Sequence, residues 1–557
     1  MKKITYKIVS ICTVVLLGTF IFSCSDDYLD FEPVAAKNEA AFYLTMEHAE
    51  LAVTAAYAAL CHRTAWDRNI NMVLGDVTSD DAEAGGDFEN EVPAEEEFNR
   101  FTYFPTSGIL EEVYGVMFRG IHFANKAMEN IPGIIETDEN ADSLIINRRI
   151  AELKFLRALN YMYLTSIFGQ VPLVDHVLAP SEYNMDKATL DELYDLIEKD
   201  LLEAIPVLPE RDSLSEKDLG RATKGAAQAL LARKYLFESS YAHYYPGDER
   251  FIGLNERWQD VLDMCVNVIN SGFYNLVGND GETYNTWRGP LTNGYSYIFT
   301  VEGENSPESV FSIQYINDGK TYTHSRAGSL TQWVSARYYT DANGKQIATP
   351  YWGLGWPTQS LVDEYDTLDV RLHVNISMPG DSIQIANDRN VLVNFDNSAT
   401  GYYMKKYELS ADQFADAPGH GWHKSPFNIM LIRYADVILM AGEASFMLGN
   451  NAQSRDYINQ VRTRARVCGD GIVPADYPDS YTIGLDDIIK ERRMELALEG
   501  RRFSDMVRWN IAKGRLNDTE TPGGFPIVYE SPKNDFMPIP QREIITSNGG
   551  ITQHEGW

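Results

Sequence analysis

The segment that most limits the fold is SLIINRRIAELKFLRALNYMYLTSIF, residues 143–168. Its apolar residues recur at helical spacing along two stripes. One runs Ile146, Ile150, Leu153, Leu164 and Ile167, and the other runs Phe155, Leu159 and Met162. A helix lying on a surface is apolar on one side, so a helix apolar on two sides is packed between neighbours. Gly169 and Pro172 end it. The same half of the chain supplies the neighbours. Residues 44–60 are rich in Ala, Leu and Val, and 109–131 keep helical spacing up to Pro132-Gly133. Residues 190–205 stop at Pro206 and Pro209, and 223–239 and 258–270 follow. Gly225, Ala226, Ala227, Ala229 and Ala232 allow a neighbouring helix to come close. Successive helices joined by short loops predict stacked antiparallel pairs, as in helical repeat arrays, with uneven spacing.

From Gly272 to about Gly421 the chain changes character. Gly, Asn, Asp, Thr and aromatics dominate, as in LTQWVSARYYTDANGK and TPYWGLGWPTQSL. Apart from strand-like pieces such as Ser309–Tyr315, this reads as long ordered loops, which in compact proteins are usually functional. Helical pattern returns at 428–448, 452–466, 486–499 and 502–513. Within it Ile488, Arg492, Glu495, Leu496 and Glu499 share a stripe. Charges on an apolar stripe require partners, because an unpaired buried charge is costly. Arg501, Arg502, Asp505 and Arg508 stand nearby. The stretch therefore reads as an ionic cluster that holds the fold, in preference to a catalytic carboxylate pair.

The chain opens with Lys2, Lys3 and Lys7, then an uncharged run from Ile8 to Phe22, Ser23 and Cys24. The run falls short of the ~20 apolar residues of a spanning helix. A basic start, a short apolar stretch and a small residue before the cut describe a secretory signal. Ser23-Cys24 resembles a bacterial lipobox, which implies cleavage before Cys24 and acylation of that cysteine. The alternative is an ordinary signal peptide with an incidental cysteine. Ser25-Asp26-Asp27 resembles the surface-export signal of Bacteroidetes lipoproteins. The formal charge is −32. A field of that sign excludes nucleic acid and anionic lipid as partners of the whole body. Cys61, Cys265 and Cys468 form no metal-binding pattern and read as three buried thiols.

RYADVILMAGEA (433–444), INQVRTRA (458–465), IIKERRMELALEGRRFSDMVRWN (488–510) and MPIPQREI (537–544) resemble the SusD/RagB family of outer-membrane lipoproteins. RALNYMYLTSIFGQVPL (157–173) and ATKGAAQALLARKYLF (222–237) fit the same family, while NGGITQHEGW departs from its usual ending. The resemblance implies a mainly α fold of tetratricopeptide-like helix pairs, with an irregular loop-rich lobe carrying the ligand site. It divides the chain into a signal peptide (1–23), an N-terminal helical region (24–271) and a C-terminal region (272–557). It also implies a SusC-like TonB-dependent transporter as partner, and a place on the outer face of the outer membrane, held only by lipid at Cys24. The implied role is non-catalytic delivery of oligosaccharides or, in some members, peptides.

A neutral sugar offers C–H faces to aromatic rings and rows of hydroxyls to Asp, Asn, Gln and Arg. Three stretches combine these. The first, 61–87, holds Trp66, Asp67, Arg68 and Asn69, followed by Asp76, Asp80 and Asp81. The second holds Trp287 and Arg288. The third, 332–356, holds Trp333, Tyr338, Tyr339, Tyr351, Trp352 and Trp356. For each aromatic the competing role is core packing. Asp76, Asp80, Asp81, Glu83 and Asp87 form an oxygen-rich set of the kind calcium takes, but the EF-hand glycine is missing, and solvated or ligand-facing acids are the preferred reading. No zinc, phosphate-loop, dinucleotide or GxSxG motif occurs, so no cofactor is expected. Peptide capture, a surface glycoside hydrolase and a lid without ligand preference stand as alternatives to glycan capture.

Overall fold

The structure, a computed structural model, describes residues 42–62, 64–86, 91–316, 327–385, 389–409 and 425–557. The N-terminal run with Cys24, and Asp87, lie outside them. The long helices are α1 (Met46–Leu60), α2 (Gly108–Asn130), α3 (Ser143–Phe168), α4 (Leu190–Ala204), α5 (Lys224–Tyr244), α6 (Trp258–Asn270), α7 (Tyr434–Met447), α8 (Asn451–Cys468) and α9 (Leu485–Glu495). Each of α1 to α5 packs on its successor. Then α6 packs on α7 although residues 271–433 lie between them, and α7 packs on α8 and α9. The chain is mainly α.

Local chemistry sets the helix ends. Asp142 caps α3 by accepting the Leu144 N–H at 2.8 Å. Thr189 and Glu192 form a reciprocal capping box on α4, and Thr223 accepts the Ala226 N–H at the start of α5. Gly169 ends α3 at φ 65°, and a Cβ there would meet the Phe536 ring at 2.8 Å. Helix α3 is buried along both expected stripes, with Ile150 and Ile167 half-buried. Helix α5 runs past the expected Ser239 because Tyr241 continues its buried face and stacks on Phe251, ring centroids 4.5 Å apart.

Several expectations fail. The 486–499 helix stops at Glu495, and the 502–513 helix breaks after Arg508, where Asn510 turns left-handed at φ 59°. Residues 64–77 form a π-helical segment that is buried almost throughout, where a polar loop was expected. Residues 429–433, expected to open a helix, form a strand paired antiparallel with Ser309–Ile313. That pairing leads the chain from the loop-rich lobe into α7. Finally, only Cys265 is a fully buried thiol; Cys61 and Cys468 are half-buried.

Short strands give the lobe its order. Ala82–Gly85 pairs antiparallel with Leu354–Pro357. A sheet of four follows in the order Gln346–Ala348, Tyr338–Thr340, Arg389–Val393, Ser382–Ile385.

The expected ionic cluster is present in part: Arg501 turns to Tyr163 and the Leu431 carbonyl, Arg502 pairs with Asp80, and more distant residues take their place. Arg492 pairs with Asp505 at 2.7 Å, and Arg508 joins Asp505 to Glu443. Glu495, however, takes Arg464, Arg433 at 2.8 Å and Arg371 at 3.2 Å. Glu499 takes Arg433 and Lys406, and Glu308 takes Arg433 and Arg464. Burial pushes the Glu495 carboxyl up, but its three arginines outweigh that and hold it well below the usual range. The cluster ties the lobe to the end of α9.

Candidate functional site

The first predicted stretch lies largely in the core. Trp66 is 1% exposed and packs edge-on against Tyr163 at 4.9 Å, so its ring offers no face to a ligand. Asn69 is buried and donates to Glu112 at 2.7 Å. Half-buried Asp80 and buried Asp81 form ion pairs with Arg502 (2.7 Å) and Arg493 (2.8 Å). Asp76 accepts the Gly500 N–H at 3.0 Å. Arg493 and Arg502 are shared between Asp80 and Asp81, while Asp76 holds the Gly500 backbone, so all three acids are engaged structurally. Among the described residues no group of three or more His, Cys, Asp or Glu could hold a metal ion.

Asp67 is also fully buried, yet it builds the site. Its Oδ2 accepts from the Ser329 N–H at 2.5 Å and the Ser329 hydroxyl at 3.1 Å, and Oδ1 accepts from Tyr315 at 2.6 Å. Burial pushes its carboxyl up to about 6, against the pull of these donors. Ser329 opens the short helix Leu330–Val334, which carries Trp333, and its hydroxyl accepts the Trp333 Nε1–H at 3.2 Å. The buried acid thus fixes where the tryptophan stands.

Beside it lies Trp352, held by a backbone bond from its N–H to Gln332 at 2.8 Å. The two half-buried indoles meet at 5.8 Å with an interplanar angle of 39°. Arg68 lies over Trp333 at 4.8 Å and pairs with Glu95. Arg337 lies over Trp352 at 5.7 Å and grips Glu91 with two bonds of 2.9 and 2.8 Å. Each half-buried ring thus carries a guanidinium, Arg68 tied to the buried Glu95 and Arg337 to the half-buried Glu91, which sets aromatic surface beside hydrogen-bonding groups, the pairing a saccharide requires.

Of the predicted residues, Arg68, Trp333 and Trp352 come together. Tyr351 is buried, and burial and the Glu408 charge push its phenol up. Tyr338 is half-buried in the four-stranded sheet. Trp287 and Arg288 form a second pair at 5.2 Å. Trp287 packs on the Tyr339–Trp356 cluster, and Arg288 donates to the Lys406 carbonyl at 3.0 Å. Arg337, Glu91, Glu95 and Ser329 were not anticipated. Arg337 sits within the aromatic stretch already singled out, four residues beyond Trp333, and that proximity was the available signal.

A family profile described as "SusD family" matches residues 307–557, and one described as "Starch-binding associating with outer membrane" matches residues 28–236. A SusD-like protein of Formosa agariphila is 25% identical over 100% of both chains. The starch-binding protein SusD of Bacteroides thetaiotaomicron is 24% identical over 76% of this chain and 75% of its own. Among solved structures, a laminarin binding SusD-like protein is 26% identical with a TM-score of 0.71, covering 92% of this chain and 100% of its own. By these matches and by its fold, the chain belongs to the SusD/RagB family.

Proposed function

We propose that this protein captures neutral oligosaccharides at the cell surface, on the platform of Trp333 and Trp352, and passes them to a TonB-dependent transporter of the SusC type. In this reading residues 1–23 are removed, and acylated Cys24 anchors the body to the outer face of the outer membrane. The observation that carries the reading is the indole pair with Arg68 and Arg337 laid against it. The starch-binding and laminarin-binding names of its relatives support the ligand class. The role is binding without cleavage. Glu91 and Glu95, beside the indoles, are each engaged by an arginine, Arg337 and Arg68.

Affinity electrophoresis of the chain from Ser25 onward against a panel of neutral polysaccharides tests this. Wild-type protein is expected to be retarded by at least one. Trp333→Ala and Trp352→Ala are each expected to weaken retention at least about tenfold, since an aromatic truncated at the centre of a site costs 2 kcal/mol or more. Binding of peptides with no retention by any glycan overturns the reading in favour of peptide capture.

A further inference from the structure

A cavity opens beside the strand pair Ala82–Gly85 and Leu354–Pro357. Glu83 and Trp356 are opposed residues of the Ala82–Gly85 and Leu354–Pro357 ladder. Opposed residues share a face, and both line one cavity of about 350 Å³, a size typical of small-molecule sites. Each is only 8% exposed, yet Glu83 Oε2 and Trp356 Nε1 are buried without a hydrogen-bond partner. Such atoms are rare in folded chains. Two of them in one cavity, an acceptor and a donor, mark a place for the polar groups of a ligand.

The walls narrow the chemistry. Arg100 stacks on Phe525 at 3.9 Å and pairs with Glu96 at 2.7 Å. Asn397 and Ser398 line the opposite side. Glu83, Glu96 and Asp396 outnumber Arg100, which disfavours an anion. The indole N–H disfavours a cation. What remains is a neutral ligand bearing adjacent hydroxyls, one to donate to Glu83 and one to accept from Trp356. Burial pushes the Glu83 carboxyl up to about 7, against Asn99 and Arg100, so it accepts a hydrogen bond without a full charge at neutrality. A neighbouring cavity of about 400 Å³ shares Glu83, Ala399 and Pro522 with the first, so the two compartments adjoin at Glu83. A groove of two compartments suits a chain of sugar units.

We propose that this groove is a second saccharide subsite, distinct from the tryptophan platform, with Glu83 and Trp356 reading adjacent hydroxyls of a neutral glycan. The proposal rests on the glycan reading above. Trp352 and Trp356 are four residues apart, at most about 14 Å along the chain, so one polysaccharide can engage both places.

Calorimetry with laminarihexaose, and retention on the polysaccharide panel, test it on wild type, Trp333→Ala, Glu83→Gln, Trp356→Phe and the Trp333→Ala/Glu83→Gln double variant. Glu83→Gln and Trp356→Phe are expected to weaken binding about 3- to 10-fold each, the worth of one hydrogen bond. Trp333→Ala is expected to keep a residual affinity that the double variant loses. If either buried variant lowers the melting temperature, Phe525→Ala on the loop wall replaces it, with the same expected loss. Wild-type binding in all three groove variants, with loss in Trp333→Ala alone, overturns the subsite and leaves the platform standing. No binding of any glycan by wild type removes both.

Discussion

At the scale of single residues, chemistry and burial part company. Trp66 and Trp333 look alike in sequence, each an indole beside hydrogen-bonding side chains. One is a core ring against Tyr163 and the other a half-buried ring beside Trp352. Trp66→Ala is therefore expected to destabilise the protein by about 3–5 kcal/mol, measured by chemical denaturation. Trp333→Ala should move the midpoint little while losing ligand. Equal stability of the two variants would contradict the core placement of Trp66. Asp67 shows the same divergence: it is buried and touches no ligand surface, yet through Ser329 it sets the position of Trp333. Sequence gave reason to single out Arg68, Trp333 and Trp352. It gave none for Glu91, whose partner Arg337 lies 246 residues away. Ion pairs of that span leave no local pattern.

At the scale of elements, what was legible follows from range. Helices α2, α3, α4 and α6 keep their apolar rhythm within their own residues, and their bounds were readable to within a residue or so. The strand 429–433 depends on Ser309–Ile313, more than a hundred residues earlier in the chain, so NIMLIR alone reads as helix. The 64–77 segment was misread because its polar residues look solvated, although their partners lie in the core. Its seat against the turn after α9 is close-packed at two glycines, beside the bond from the Gly500 N–H to Asp76. A Cβ on Gly75 would meet the Gly500 Cα at 2.3 Å, and Gly500 itself is left-handed at φ 68° beside Asn71. Gly500→Ala is expected to cost about 1–2 kcal/mol from backbone conformation alone, with the Asn71 clash added. An unchanged denaturation midpoint would show that this contact is not fixed as described.

At the scale of the whole molecule, buried carboxyls fall into two opposed sets. Burial raises Asp67 to about 6, Glu83 and Glu408 to about 7 and Glu304 to about 8. Each holds a proton in the folded state that the unfolded chain has released, so each lowers stability as pH rises from about 4.5 through those values. Glu495 and Asp436 are buried too, but their arginines outweigh burial and hold them low. Their contribution is present above about pH 4 and is lost as pH falls. Stability is therefore expected to peak near about pH 5 and to decline toward pH 8. Melting temperatures of the chain from Ser25 onward across that range check it. A melting temperature still climbing from pH 5 to pH 8 would refute the assignment of the raised set.

The contact of α6 with α7 has a consequence for how such a protein can change. The chain leaves the helical stack after Asn270 and re-enters it at Tyr434, on adjacent helices. The loop-rich lobe is thus a closed excursion whose two ends are anchored side by side. Loops within it can lengthen, shorten or exchange side chains while the stack beneath keeps its own register. Trp333, Arg337 and Trp352 lie in that excursion, so the half of the candidate site they form can be rewritten while Asp67, Arg68 and Glu95 stay with the rest of the fold.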